Sequence, residues 1–269
     1  MNVRLIAGAA GLALLPAFAA RAEPASDPTP VASESQLLLG GGIGVGSRYS
    51  GSRDTTALPV VVLDYSHASG FFASTLRGLG YGAQTGPVNW SAALGYRAER
   101  KEKDDRGAFG STGSDKLKGM GDVEGNATAL FTLGYKPLSM LELSVGAEIP
   151  LSQRRNGKTF RTGVTAQLME ARNDDVSLGL TGAFADRDYA QTYYGVTAAQ
   201  SRTSKFAAYK PKAGLYETNV MLTWQHRFGG QWSVTSMVGA AHLMGDAAKS
   251  PLVERKTSPT GAVYIGYVY

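Results

Sequence analysis

Val88-Asn89-Trp90-Ser91-Ala92-Ala93-Leu94-Gly95-Tyr96-Arg97-Ala98 is the stretch on which the fold turns. One parity reads Val88, Trp90, Ala92, Leu94, Tyr96 and Ala98. The other reads Asn89, Ser91, Ala93, Gly95 and Arg97. A period of two puts each set on its own face of a β-strand. One face is apolar and aromatic; the other is small or charged. At about ten residues the run exceeds the usual soluble strand of about five or six. It has the length a tilted strand needs to cross a bilayer.

The pattern recurs along the chain. Ala127, Ala129, Phe131, Leu133 and Tyr135 oppose Glu124, Asn126, Thr128 and Thr132. Leu141, Leu143, Val145, Ala147 and Ile149 oppose Glu142, Ser144, Gly146 and Glu148. Phe160, Thr162, Val164, Ala166 and Leu168 oppose Arg161, Gly163, Thr165, Gln167 and Met169. Val176, Leu178, Leu180 and Phe184 oppose Ser177, Gly179, Thr181 and Ala183. Tyr216, Val220, Leu222, Trp224 and Phe228 oppose Glu217, Asn219, Thr223, Gln225 and Arg227. Charges on the second parity (Arg97, Glu124, Glu142, Glu148, Arg161, Glu217, Arg227) are expected inside a barrel, either pairing there or lining a narrow wet pore.

Connections alternate short and long. Lys136-Pro137, Arg172 to Asp174 and Gly229-Gly230 are short. Lys101 to Gly121, Leu151 to Lys158, Asp186 to Lys212 and Gly245 to Ser258 are long. Outer-membrane barrels keep short turns in the periplasm and long loops outside. With both termini periplasmic, the strand number must be even. A plain count gives eleven, so Phe71 to Gln84 is read as two short strands broken near Arg77-Gly78. The expectation is a transmembrane antiparallel up-and-down β-barrel of about twelve strands, with ten as the alternative. No sequence repeat of solenoid or propeller length is present.

The ends agree with export. Arg4 precedes the apolar run Leu5 to Ala20, and Ala20-Arg21-Ala22 closes it as an A-x-A-like cleavage site, the layout of a secretory signal peptide over residues 1–22. Residues 23–35, rich in Pro, Ala and Ser, read as a flexible leader, and residues 36–269 as the barrel. Cleavage removes Arg4 and Arg21 and lowers the formal net charge from +5 to about +3, too mild a balance to suggest nucleic acid. With no cysteine, an exported fold has no disulfides to rely on. No later apolar run is long enough for a transmembrane helix. The chain ends Val263-Tyr264-Ile265-Gly266-Tyr267-Val268-Tyr269. A terminal aromatic after alternating apolar residues matches the sorting signal of bacterial outer-membrane barrels, with Tyr267 and Tyr269 in the periplasmic aromatic girdle.

Several strings resemble the MipA/OmpV family of outer-membrane proteins, the MltA-interacting proteins. Gly42-Ile43-Gly44-Val45-Gly46 with Tyr49-Ser50-Gly51-Ser52 is similar to that family's first strand and loop. Leu58-Pro59, Asp64-Tyr65 and Phe71-Phe72-Ala73-Ser74 follow, then Gly78-Leu79-Gly80-Tyr81 and Gly95-Tyr96-Arg97. Leu117-Lys118-Gly119-Met120-Gly121-Asp122 departs mildly at Met120, where Leu is expected. The most specific strings are Gln191-Thr192-Tyr193-Tyr194-Gly195-Val196 and Gly245-Asp246-Ala247-Ala248 with Ser250-Pro251-Leu252-Val253. The resemblance implies an outer-membrane scaffold for a murein lytic transglycosylase and a murein synthase. Other members of the family resemble adhesins or small-solute barrels. It carries over no agreed functional residues.

Chemistry in the residues themselves is sparse. Of three histidines, His67 lies in a turn, and His226 and His242 fall on the apolar parity, where they cannot easily reach a nucleophile in a shared cleft. Lys103-Asp104-Asp105 and Asn173-Asp174-Asp175 read as solvated turns rather than calcium sites. Gly40-Gly41-Gly42 lacks the helix and Lys-Ser/Thr of a phosphate loop. No cofactor and no catalytic set are expected. Basic loop residues (Arg100, Lys101, Lys103 and Arg106; Arg154, Arg155 and Lys158; Arg202, Lys205, Lys210 and Lys212) either are solvated or meet lipid phosphates of the outer leaflet and lipopolysaccharide. Arg154, Arg155 and Lys158 are the candidates singled out for that contact. Two function classes stay open: an interaction scaffold, and a small-solute channel or adhesin.

Overall fold

A computed structural model describes residues 34–104, 106–107, 110–111 and 113–269; the expected signal peptide and most of the expected leader lie outside the described residues. Twelve strands close one antiparallel barrel: β1 (Gln36–Ser47), β2 (Thr55–Ser66), β3 (Phe71–Ser74), β4 (Gly78–Thr85), β5 (Val88–Arg97), β8 (Asn126–Leu138), β9 (Leu141–Pro150), β10 (Thr159–Glu170), β11 (Asp174–Ala185), β12 (Gly214–Phe228), β13 (Trp232–Leu243) and β14 (Thr257–Val268). Two-residue strands β6 (Arg106–Gly107) and β7 (Gly110–Ser111) form a separate hairpin in the loop between β5 and β8. Each barrel strand pairs with its chain neighbours, and β1 closes on β14 from Leu38↔Val268 to Val45↔Gly261. Closure leaves no terminal edge, as a hydrocarbon environment requires. Among the described residues no helix is long and apolar enough to cross a membrane.

The split of Phe71 to Gln84 occurs where the sequence breaks. Gly78 takes φ +82° at the turn, and a Cβ there would sit 2.1 Å from the Leu94 carbonyl oxygen. Glycine alone meets both demands. One step on, a Cβ on Gly80 would lie 2.7 Å from the Phe72 ring, so the bare strand makes room for that inward side chain.

The outward parity carries Ile43, Val61, Leu94, Phe131, Val145, Val164, Leu180 and Ile265, all unburied by protein, which is the apolar band of a membrane barrel. At the short-turn rim, Trp90 meets Tyr81, and Trp232, Tyr267 and Tyr269 stack edge to face in sequence.

The interior is divided. On the β5 to β12 side it is charged: Arg97 pairs with Glu148 at 3.0 Å, Arg161 lies 3.9 Å from the same carboxylate, Lys136 meets Glu142 at 3.0 Å, and Arg227 pairs with Asp175. Of the charges expected inside, Arg97, Glu142, Glu148, Arg161 and Arg227 are paired there. On the β1, β2, β13 and β14 side Leu58, Val60, Val62, Leu76, Met237 and Tyr264 form one buried apolar cluster, and Asp64, next on the inward parity of β2, pairs with Arg77 at 2.5 Å. The glycine-rich inner face of β1 makes this possible; a Cβ on Gly42 would sit 2.6 Å from the Tyr264 Cβ.

Two expected placements change. Tyr216 does not share the outward face with Val220. The β11–β12 register jumps from Ala183↔Glu217 to Phe184↔Leu215. The extra residue of this bulge turns Tyr216 inward beside Glu217, and both are buried. Glu124 is not a lumen charge either. It precedes β8 in an exposed loop position and accepts a hydrogen bond from the Gln153 side chain.

Candidate functional site

The long loops gather at one mouth of the barrel and pack on one another. The connection Asp186 to Lys212, read from sequence as one of the long loops, folds into α1 (Arg187–Tyr194) and α2 (Ala198–Thr203). The local signals are capping residues. Asp186 accepts from the Tyr189 N–H at 2.8 Å. Thr197 and Gln200 exchange side-chain and backbone bonds as a capping box, the S/T-x-x-Q pattern that starts a helix.

α1 carries Tyr189 and Tyr193 one turn apart on one face, with ring centroids at 4.4 Å. They drop into the mouth beside Tyr194, Tyr216, Ala183, Ala185, Leu243 and Ala247. Burial pushes the hydroxyl pKa values of Tyr189, Tyr193 and Tyr194 upward. Two arginines reach this cluster from the end of β5. Arg97 stands over the Tyr189 ring at 5.1 Å and donates to the carbonyls of Asn156 and Gly157 at 3.0 and 2.9 Å. Arg100 stands over Tyr193 at 5.7 Å and donates to the carbonyls of Tyr193 and Thr192 at 3.0 and 3.3 Å. These are last-turn carbonyls of α1, where a cation offsets both unsatisfied acceptors and the helix dipole. Burial lowers the pKa of Arg100.

A second apolar cluster joins four loops: Tyr49, Leu117, Met120, Val196 and Leu252, with Phe206 and Tyr209 packed against them. Together the two clusters make a cap.

The specific sequence strings converge on this cap. Glu102 accepts from the N–H groups of Gly119 and Gly121, each at 2.8 Å, and donates its own N–H to Asp122 at 2.8 Å. Thr203 donates to the Gly119 carbonyl at 2.7 Å, and Gln200 to that of Met120 at 2.6 Å. Gln191 accepts the Gly195 N–H that ends α1. Thr192 donates to the Arg155 carbonyl at 2.6 Å. Ser250 donates to the Tyr194 carbonyl at 2.6 Å, and the Tyr194 and Ser50 hydroxyls meet at 2.8 Å. Asp246 accepts from the Lys212 N–H and from Lys249, which lower its pKa in that order. Gly245 precedes it at φ +52°, and Pro251 begins the turn that delivers Leu252 to the second cluster. Sequence reading found these strings but not their meeting point, because the contacts that join one string to another span tens of residues.

Gly78, Gly80 and Tyr81 lie elsewhere, in the β3–β4 hairpin, and Tyr267 and Tyr269 stand at the opposite rim. Arg154, Arg155 and Lys158 are exposed on the cap's flank, the first two in a single 3₁₀ turn, Arg154–Asn156.

The histidines do not assemble. His67 bonds Ser69 in a turn, His226 bonds Asp174 on the outer face near the short-turn rim, and His242 bonds Thr257 at the loop end. Asp174 takes Trp224 and His226, and Asp104 pairs with Arg48 at 2.7 Å. Among the described residues no group of three His, Cys, Asp or Glu side chains could hold a metal ion.

Comparison with known proteins follows this geometry. No curated protein matches the sequence. Among solved structures, the chain is similar to the COG4313 outer membrane channel from Pseudomonas putida F1, at 11% identity and TM-score 0.47, covering 92% of this chain and 99% of that one. It is similar to the NanC porin at 8% identity and TM-score 0.46, covering 86% and 98%. A family model described as MltA-interacting protein MipA matches residues 39–269, which takes in every barrel strand, β1 from its fourth residue, and every loop of the cap. This outer-membrane barrel belongs to the MipA family.

Proposed function

We propose that the protein is a non-enzymatic outer-membrane barrel that works by contact, as a scaffold for a murein lytic transglycosylase and a murein synthase. The family name, MltA-interacting protein, supports the partner class. The observation that carries the contact reading is the cap. Four loops interlock over the mouth through two buried clusters, the β9–β10 loop joins them by hydrogen bonds, and paired charges lie in the interior below. A solute channel would need both to open. A periplasmic enzyme would meet the short-turn rim, where the turns between β4 and β5, β8 and β9, β10 and β11, and β12 and β13 are presented.

Cross-linked affinity purification from intact outer membranes tests the reading. Enrichment of a lytic transglycosylase or murein synthase, lost when the cross-linker is moved from the short-turn rim to the cap, is the expected result. Recovery of lipopolysaccharide and assembly factors alone would overturn it.

A further inference from the structure

Asp174 opens β11 on its outward parity, in line with the exposed Leu178 and Leu180. His226 faces it across the ladder, Asp174↔His226, and shares the outer face of β12 with Trp224 and Phe228. One carboxylate oxygen, Oδ1, accepts from Trp224 Nε1 at 3.0 Å and meets His226 Nδ1 at 2.9 Å. An ionised carboxylate only accepts, so Nδ1 carries the proton. The two rings thus hold the carboxylate in place by a single oxygen. Among the described residues Oδ2 takes no hydrogen bond. The neighbouring cation, Arg227, points inward to Asp175 instead. Asp174 and His226 keep 32% and 35% of their side chains exposed, so the free oxygen is open to the surroundings of the barrel.

Those surroundings follow from the depth of the pair. Toward the turn the β12–β13 ladder runs His226↔Val234, Arg227↔Ser233 and Phe228↔Trp232. The His226 and Phe228 rings stack, and Trp232 packs edge to face on Tyr267 in the aromatic girdle. His226 therefore stands two residues from the girdle, at the membrane–water interface, where an outward side chain meets lipid headgroups. A charge on the lipid-facing parity is costly at the midplane and tolerated at this level. Position fixes the class of the neighbour, and charge selects within it. A primary ammonium brings a positive charge and three N–H donors to the free oxygen. A quaternary ammonium brings the charge alone.

We infer that Asp174 binds the primary ammonium of an aminophospholipid in the leaflet at the short-turn rim. Oδ2 accepts an N–H of the headgroup in a charge-assisted hydrogen bond. His226 and Trp224 are positioning residues that fix the carboxylate through Oδ1.

Native mass spectrometry of the purified barrel reads the preference. The protein is titrated with phosphatidylethanolamine or with phosphatidylcholine of identical chains, at about pH 8, where an ordinary imidazole is neutral. The wild-type barrel should hold its first phosphatidylethanolamine about fivefold more tightly than phosphatidylcholine, the effect of one net hydrogen bond. Asp174→Asn removes the charge and keeps an oxygen acceptor for Trp224 and His226. It should lower phosphatidylethanolamine to the level of phosphatidylcholine and leave phosphatidylcholine unchanged, with heat-modifiable migration confirming a folded barrel. Equal affinity of the wild-type barrel for the two lipids, or tighter binding of phosphatidylcholine, would overturn the site, and that comparison needs no variant. A preference that survives Asp174→Asn would also overturn it, by assigning the selection to another part of the wall.

Discussion

Arg100 carries a buried charge that donates to two helix-end carbonyls rather than to a carboxylate. Replacing it by Met keeps the stem and leaves both carbonyls without donors, at a cost of about 2 kcal/mol to the docked state of α1. The expected result for Arg100→Met is faster protease cleavage within residues 186–213, with heat-modifiable migration of the barrel unchanged. Gly119 shows a different dependence. Its φ is +86°, and a Cβ would stand 2.0 Å from the Thr203 carbonyl oxygen. Gly119→Ala should therefore loosen the contact between the β5–β8 loop and α2 by about 1–3 kcal/mol, read as increased cleavage in both segments. At this scale the sequence was partly legible. The φ > 0 glycines stood out in the strings, whereas Tyr216 did not, because one inserted residue at a bulge reverses a side chain without altering the alternation on either side.

Strands were the readable elements, since a period of two repeated over about ten residues is a strong signal. The β3–β4 hairpin was found through parity of strand number and the Arg77-Gly78 break, and not through its own weak pattern. Helices α1 and α2 escaped because they are short and their stability comes from docking tyrosines, not from propensity. That docking makes them sensitive to pH. Tyr189, Tyr193 and Tyr194 have folded pKa values above the ordinary 10 through burial. Their neutral form is favoured in the closed cap. The stabilisation is whole below pH 10 and is lost as pH rises toward the folded values, because the opened cap ionises first. Protease susceptibility of the loops should therefore rise above about pH 10 while the strands stay protected. A flat profile across that range would contradict the buried placement of α1. On the neighbouring loop, Arg154 and Arg155 point outward. If these arginines meet lipid phosphates, the reading set against solvation above, Arg154→Ala with Arg155→Ala weakens lipopolysaccharide binding several-fold and reduces its salt dependence. Unchanged affinity would assign these arginines to solvent.

For the whole molecule, fold class was written in the alternation, the loop lengths and the aromatic C-terminal strand. The cap was not, since it arises from contacts among five loops that no local pattern encodes. The division of the interior was half legible: charges on β5, β9, β10 and β12 announced the polar side, while the apolar side depends on glycines of β1 leaving space for Tyr264 and the valines of β2. On the proposed reading, a barrel capped above and lined by paired charges within acts through its surfaces. Conductance in a planar bilayer tests that claim most directly. The wild-type protein should give no steady current at neutral pH, and Arg100→Met should add at most brief openings. Steady, stepwise conductance from the folded wild-type barrel would contradict the account.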